Sequence, residues 1–162
     1  MANEGRHSEA SSPPGVGTTP TSIEYSVHAE ERLVYVRLGK VLKAADVENY
    51  ATALRHDPQF DPDFSEIADL REVEQVQITP AEAINLADHA DPFAMSSRRA
   101  FITASDLQVS FARMHQMLRR PSDKLRIFDT LEKAKDWVRS PEPPPAPGKR
   151  ARILPFIPRW FS

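Results

Sequence analysis

The chain has 162 residues with 5 glycines, 15 prolines and no cysteine, and a formal net charge of −2. That length fits one domain with extensions. The missing cysteines exclude disulfides, thiolate nucleophiles and Cys-ligated metal, and suit a reducing, cytoplasmic setting. Residues 22–139 carry 16 Lys+Arg against 20 Asp+Glu, whereas residues 140–162 carry 4 against 1. An acidic body excludes a nucleic-acid platform, which needs a basic stripe to release phosphate counterions.

Residues 1–21 are Ser, Thr, Pro, Gly and charge. They lack the apolar surface to offset ordering entropy and are expected to be disordered. With no apolar h-region they do not read as a secretory signal. The segment 22–139 alternates two periods. Ile23, Tyr25 and Val27 alternate with polar residues, Ala29-Glu30-Glu31 turns, and Leu33 to Leu38 follows, so the pair reads as an antiparallel hairpin. After Gly39, the residues Ala44, Val47, Tyr50, Ala51 and Leu54 share one helical face, and His56-Asp57-Pro58 ends that helix.

Ile67 to Leu70 reads as a third strand, and Val76 and Ile78 as a brief strand or loop. Thr79-Pro80-Ala81-Glu82 is a helix start with cap, first-turn proline and reciprocal acid, and Ile84, Ala87 and Ala83 are its expected inner side. Arg99 to Ala104 is the fourth strand. Ser105-Asp106-Leu107-Gln108 is a second capping box, followed by a predicted buried stripe of Leu107, Phe111, Met114 and Leu118. Leu125 to Phe128 is the fifth strand. Thr130 caps a last helix with Leu131, Ala134, Trp137 and Val138 inward.

Single helices between strands require right-handed crossovers and parallel pairing. The expected fold is α/β: a small mixed, mostly parallel five-stranded sheet with an N-terminal antiparallel hairpin and four helices. Gly39 is the one glycine in residues 22–139. A phosphate cradle needs a glycine-rich strand-to-helix turn, so no nucleotide cofactor is expected.

The segments Arg32–Arg37, Pro58–Phe64, Ile67–Val73, Ser97–Phe101 and Arg126–Phe128, with Trp137 beyond, resemble the SpoIIAA-like branch of the STAS superfamily, the anti-sigma-factor-antagonist fold. The likeness spans roughly residues 22–139. It implies a small mixed sheet with helices mostly on one face, and a docking or small-ligand-sensing module without chemistry of its own. Regulators of this type carry a phosphorylatable Ser or Thr just after the third strand. Here that stretch reads Asp69-Leu70-Arg71-Glu72-Val73-Glu74, with no hydroxyl before Thr79, so no phosphoserine switch is expected.

Asp69 stands at the C-terminal end of a predicted parallel strand, where α/β sheets place functional residues; pairing with Arg71 or capping a backbone group is the plainer role. Asp69, Arg71 and Glu72 are taken as the partner-facing surface. The histidines His56, His89 and His115 lack metal-ligand spacing, Ser97 and Ser105 lack a nucleophile elbow, and Asp61 and Asp63 read as a solvated loop. No enzymatic activity and no metal site are expected. Arg98, Arg99, Arg119, Arg120, Lys124 and Arg126 read as charged rim or as an anion patch. Phe111, Met114 and Met117 read as core or as the lining of a pocket for a small apolar ligand or lipid.

Residues 140–148 form a proline-rich spacer of polyproline character. Residues 149–162 then place Lys149, Arg150 and Arg152 ahead of six large apolar residues that include Phe156, Trp160 and Phe161. Three roles compete for this tail: a second contact with a protein partner, self-docking on its own domain or on a twin in a homodimer, and contact with an anionic membrane. Burying each large side chain contributes about 1.5–3 kcal/mol and each basic residue near anionic lipid about 1 kcal/mol. Ordering each residue costs about 1–2 kcal/mol. The terms nearly cancel, so membrane contact alone would be weak and reversible.

Overall fold

The computed structural model describes residues 22–119 and 122–142. The predicted tail residues Lys149, Arg150, Arg152, Phe156, Trp160 and Phe161 lie outside them, as do Arg120, the N-terminal stretch 1–21 and most of the spacer.

Strands β1 (Ile23–His28), β2 (Leu33–Leu38), β4 (Ser65–Asp69), β6 (Arg99–Ile102) and β7 (Leu125–Phe128) form one sheet in the order β1-β2-β4-β6-β7. The hairpin β1-β2 is antiparallel and every other pairing is parallel, as the hairpin-then-crossover pattern predicts. Between them come β3 (Val41–Lys43), α1 (Ala44–His56), β5 (Gln75–Gln77), α2 (Pro80–Asn85), α3 (Asp106–Leu118) and α4 (Leu131–Arg139). The short β3 and β5 pair in parallel as a second small sheet. The sequence pattern suggests β5 only as a fragment and does not reveal its partner.

Alternation along the strands divides the core in two. Val34, Val36, Ala68, Phe101 and Leu125 face a cluster with Tyr50, Leu54 and Ala112 from α1 and α3. Leu33, Ile67, Ala100 and Ile102 face the other way and are covered by Ala134, Leu131 and Trp137 of α4. Gly39 is needed for close approach: its N–H donates to the Ser22 carbonyl, and a Cβ there would stand 2.8 Å from that oxygen.

Local signals hold where they are self-contained. The α2 box closes as predicted, with Glu82 N donating to Thr79 Oγ1 (3.2 Å) and Thr79 N to Glu82 Oε2 (2.8 Å). Thr130 caps α4, accepting from Lys133 N. Three expectations need correction. Leu107 does not belong to the buried stripe; it is 44% exposed, and Gln108 and Ala112 are the fully buried residues of α3. Ile84 is 50% exposed, while Ala83 and Leu86, one helical turn apart, face inward, and α2 runs on into a π-helical turn, Leu86–Ala90. The box at Ser105 is half made. Ser105 Oγ accepts from Gln108 N, but the Gln108 side chain does not reach back to Ser105; its carbonyl accepts from Ala104 N at 2.7 Å.

Candidate functional site

The C-terminal end of β4 positions the predicted surface residues, and it does so through one local clamp. Asp69 points to the α4 face of the sheet, beyond the helix itself. Arg71 grips its carboxylate with both Nε (2.9 Å to Oδ1) and Nη2 (2.7 Å to Oδ2), and the Arg71 backbone N–H adds a third contact at 3.1 Å. Tyr35 on β2 donates its hydroxyl to Oδ2 at 2.9 Å. The Asp69 side chain is only 7% exposed. Burial pushes its pKa up, and the bonds from Arg71 and Tyr35 outweigh that and hold it below the usual carboxylate range. The structure thus brings Asp69 and Arg71 together in the plainer role, as an ion pair. The Asp69 carboxylate is fully engaged, whereas Arg71 keeps a 42% exposed side chain and Glu72 is exposed beside it.

A second grip on the same loop comes from the opposite side and is absent from the sequence reading. Gln108, buried in the first turn of α3, donates its amide to Arg71 O (3.1 Å) and Val73 O (2.9 Å). Backbone N–H groups of Glu74 and Gln75 donate to Lys40 O, and Lys40 pairs with Glu74 across the surface. The loop 70–74 is therefore tied to β2, to α3 and to the segment before β3. The sequence pattern at Gln108 fits a cap, because a cap and a tertiary hydrogen bond both need a polar side chain at that helical position.

On the helical face lies a ladder of buried charge. Glu66 on β4 and Arg99 on β6 stand opposite each other in the parallel register and form an ion pair with side chains 2% and 7% exposed. Arg99 also reaches Asp91 Oδ2 at 2.8 Å, and Asp91 pairs in turn with Arg119 of the α3 C-cap. Tyr50 donates to Glu66 Oε1 at 2.8 Å, and the Arg99 guanidinium lies 4.6 Å from the Phe93 ring centre. Burial raises Asp91 and the adjacent Arg99 and Arg119 outweigh it, so its pKa falls. Burial and Glu66 push the Tyr50 phenol well up.

His115 stacks on Phe101 with ring centres 5.4 Å apart, and its Nε2 is shut from solvent without a hydrogen-bond partner. Burial, with Arg99 and Arg119 nearby, depresses its pKa to about 3. The expected arginine rim is thus divided. Arg99 and Arg119 are interior and paired. Arg98 faces away from Arg99 and donates to Trp137 O (2.8 Å) and Ser140, where it closes the end of α4.

Between α2 and α3 the helical face is not sealed. A half-open cavity of about 80 Å³ has walls from Phe111, Met114, Leu118, Ile78 and Ala83, with Glu66, Arg99 and His115 among the groups below. A void that holds benzene measures about 150 Å³, so this one admits no lipid chain in the present packing. Among the described residues no cluster of metal-ligating side chains occurs, and no helix is long and apolar enough to cross a membrane.

No protein-family profile and no curated protein matches this chain. Solved structures do. An uncharacterised protein of the DUF3478 family from Shewanella loihica, described as having a SpoIIAA-like fold, is 18% identical with a TM-score of 0.51, over 72% of this chain and 91% of that one. An anti-sigma factor antagonist from Mycobacterium paratuberculosis is 17% identical with a TM-score of 0.51, over 75% of this chain and 97% of that one. At that identity the likeness is one of fold: the chain has the SpoIIAA-like α/β architecture that its segments resemble.

Proposed function

We propose that this chain is a non-catalytic, cytoplasmic STAS-like regulatory or scaffolding module that binds a protein partner through the loop after β4, with Arg71 and Glu72 as its contact groups and Asp69 as the anchor that aims Arg71. The carrying observation is that the loop 70–74 is gripped from both sides, by Asp69 and Tyr35 through Arg71 and by Gln108 through the Arg71 and Val73 carbonyls. A surface already fixed in its bound shape loses little entropy on docking. The loop holds no hydroxyl, and the next Ser or Thr in the chain, Thr79, accepts from Glu82 N as a helix cap. Docking here is therefore constitutive, without a phosphorylation step. The anti-sigma factor antagonist of the same fold supports a regulatory setting by analogy. Quantitative affinity capture with the full chain should recover a protein that the variant Arg71→Glu/Glu72→Lys fails to recover. Equal recovery by both would remove the loop from the interface.

The second reading, a carrier for a small apolar ligand, is favoured by the cavity between α2 and α3 alone. Its volume of about 80 Å³ limits the cargo to a molecule smaller than benzene. Native mass spectrometry of the protein as purified tests it: a bound small molecule supports a carrier, and a bare mass contradicts it.

A further inference from the structure

The apolar groove between α2 and α3 is left open by the way its walls are held. The turn 86–90 after α2 packs on α1, whose Arg55 donates to the His89 and Ala90 carbonyls at 3.2 and 2.8 Å. Helix α3 packs instead on β7. Phe111, Met114 and Leu118 of α3, Ile78 and Ala83 on the α2 side, and Val47 and Tyr50 of α1 line the groove. A short apolar segment would suffice to cover so small a mouth.

We propose that the cover is the chain's own C-terminal segment, residues 149–162, docked into this groove from the same molecule. Three observations select that occupant. The first is where the described chain ends: Glu142 pairs with Lys124, in the short turn Ser122–Lys124 just past α3. The segment therefore departs beside the α3 end of the groove. The second is length. Residues 143–148 reach about 19 Å when extended at about 3.1 Å per residue, whereas Phe111 to Leu118 spans about 10 Å of helix.

The third is charge. Residues 80–90, on the α2 side, contain Glu82 and Asp88, both exposed, and no Lys or Arg, while residues 149–162 contain Lys149, Arg150, Arg152 and Arg159 and no acid; Asp91 is already neutralised by Arg99 and Arg119. Ile153, Leu154, Phe156, Ile157, Trp160 and Phe161 supply the apolar surface. The void of about 80 Å³ takes one inserted side chain, and the remainder lies along the mouth. This inference goes beyond the partner-binding reading and stands without it, since it concerns the opposite face of the sheet.

The test uses the full chain. Trp160 emission, taken as the difference between wild type and Trp160→Phe, should be blue-shifted and shielded from acrylamide, independent of protein concentration and without lipid. Met114→Glu in the groove wall should return it to the emission of a solvent-exposed indole. Arg150→Glu/Arg152→Glu should do so partly, and this pair leaves residues 22–142 untouched should Met114→Glu fail to fold. An exposed Trp160 in wild type would overturn the proposal. So would shielding that survives both variants, shielding that grows with concentration in step with dimer formation, or shielding seen only with vesicles of phosphatidylglycerol and phosphatidylcholine.

Discussion

Two acid–arginine constellations stand on opposite faces of one sheet, and they differ in burial and in reach along the chain. Asp69 and Arg71 are two residues apart, and the arginine is 42% exposed. Glu66, Arg99, Asp91 and Arg119 come from β4, β6, the loop before it and the end of α3, and their paired side chains are at most 15% exposed. The first pair joins a buried carboxylate to a half-exposed guanidinium and shapes a surface loop. The buried ladder carries a desolvation penalty that its mutual attraction must offset, so its presence says little about net stability, while loss of one member leaves a charge stranded. Only the first leaves a charged group free to meet a partner.

The largest break in that comparison is Arg99→Met. It strands Glu66 and Asp91 beside one remaining arginine, and a loss of about 3–5 kcal/mol in urea unfolding is expected. Adding Glu66→Leu should recover much of it, because the pair is then removed together; no recovery would mean that the ladder does more than neutralise itself. Next comes acid. His115 has a folded pKa of about 3 against 6.5 unfolded. Between those values the unfolded chain binds a proton that the folded chain refuses, so stability falls as pH drops below 6.5. His115→Phe should flatten that limb in a pH series of thermal melts. Asp91 and Asp69, both depressed, stabilise above their ordinary range and lose that contribution only at lower pH, so their loss should remain in the variant.

Gln108→Ala unties the loop from α3, leaves the Arg71 and Val73 carbonyls and the Ala104 N–H without their partner, and should lower stability by about 1–3 kcal/mol. Hydrogen exchange at residues 70–75 should accelerate more than in the β1-β2 hairpin. Arg71→Ala should cost about 1–2 kcal/mol, because the buried Asp69 carboxylate keeps only Tyr35 and the residue-71 backbone N–H as partners, and it should abolish partner capture. A large stability loss there would place Arg71 with the structural ladder instead.

What the sequence reveals and what it hides divide along the same line. Asp69 with Arg71 is legible because both residues lie in one short segment. The five strands, their alternation and the caps at Thr79 and Thr130 are local too, and they are found where expected. Glu66 opposite Arg99 depends on the register between β4 and β6, which no single segment encodes; a charge inside each of two apolar strands is the one trace it leaves. Leu107 and Ile84 mislead because apolar spacing identifies a helix but not the rotation at which it settles. Gln108 fits the capping-box rule, and its tertiary contacts with Arg71 and Val73 take the side chain instead.

The central claim is that the fixed loop after β4 meets a protein partner without a switch. Quantitative capture with isotope-labelled full-length wild type and Arg71→Glu/Glu72→Lys, both from cells treated or not with phosphatase, tests it most directly. The account predicts one partner retained by wild type in both treatments and lost by the variant in both. The same partner held equally by wild type and variant, or held by wild type only without phosphatase, would contradict it.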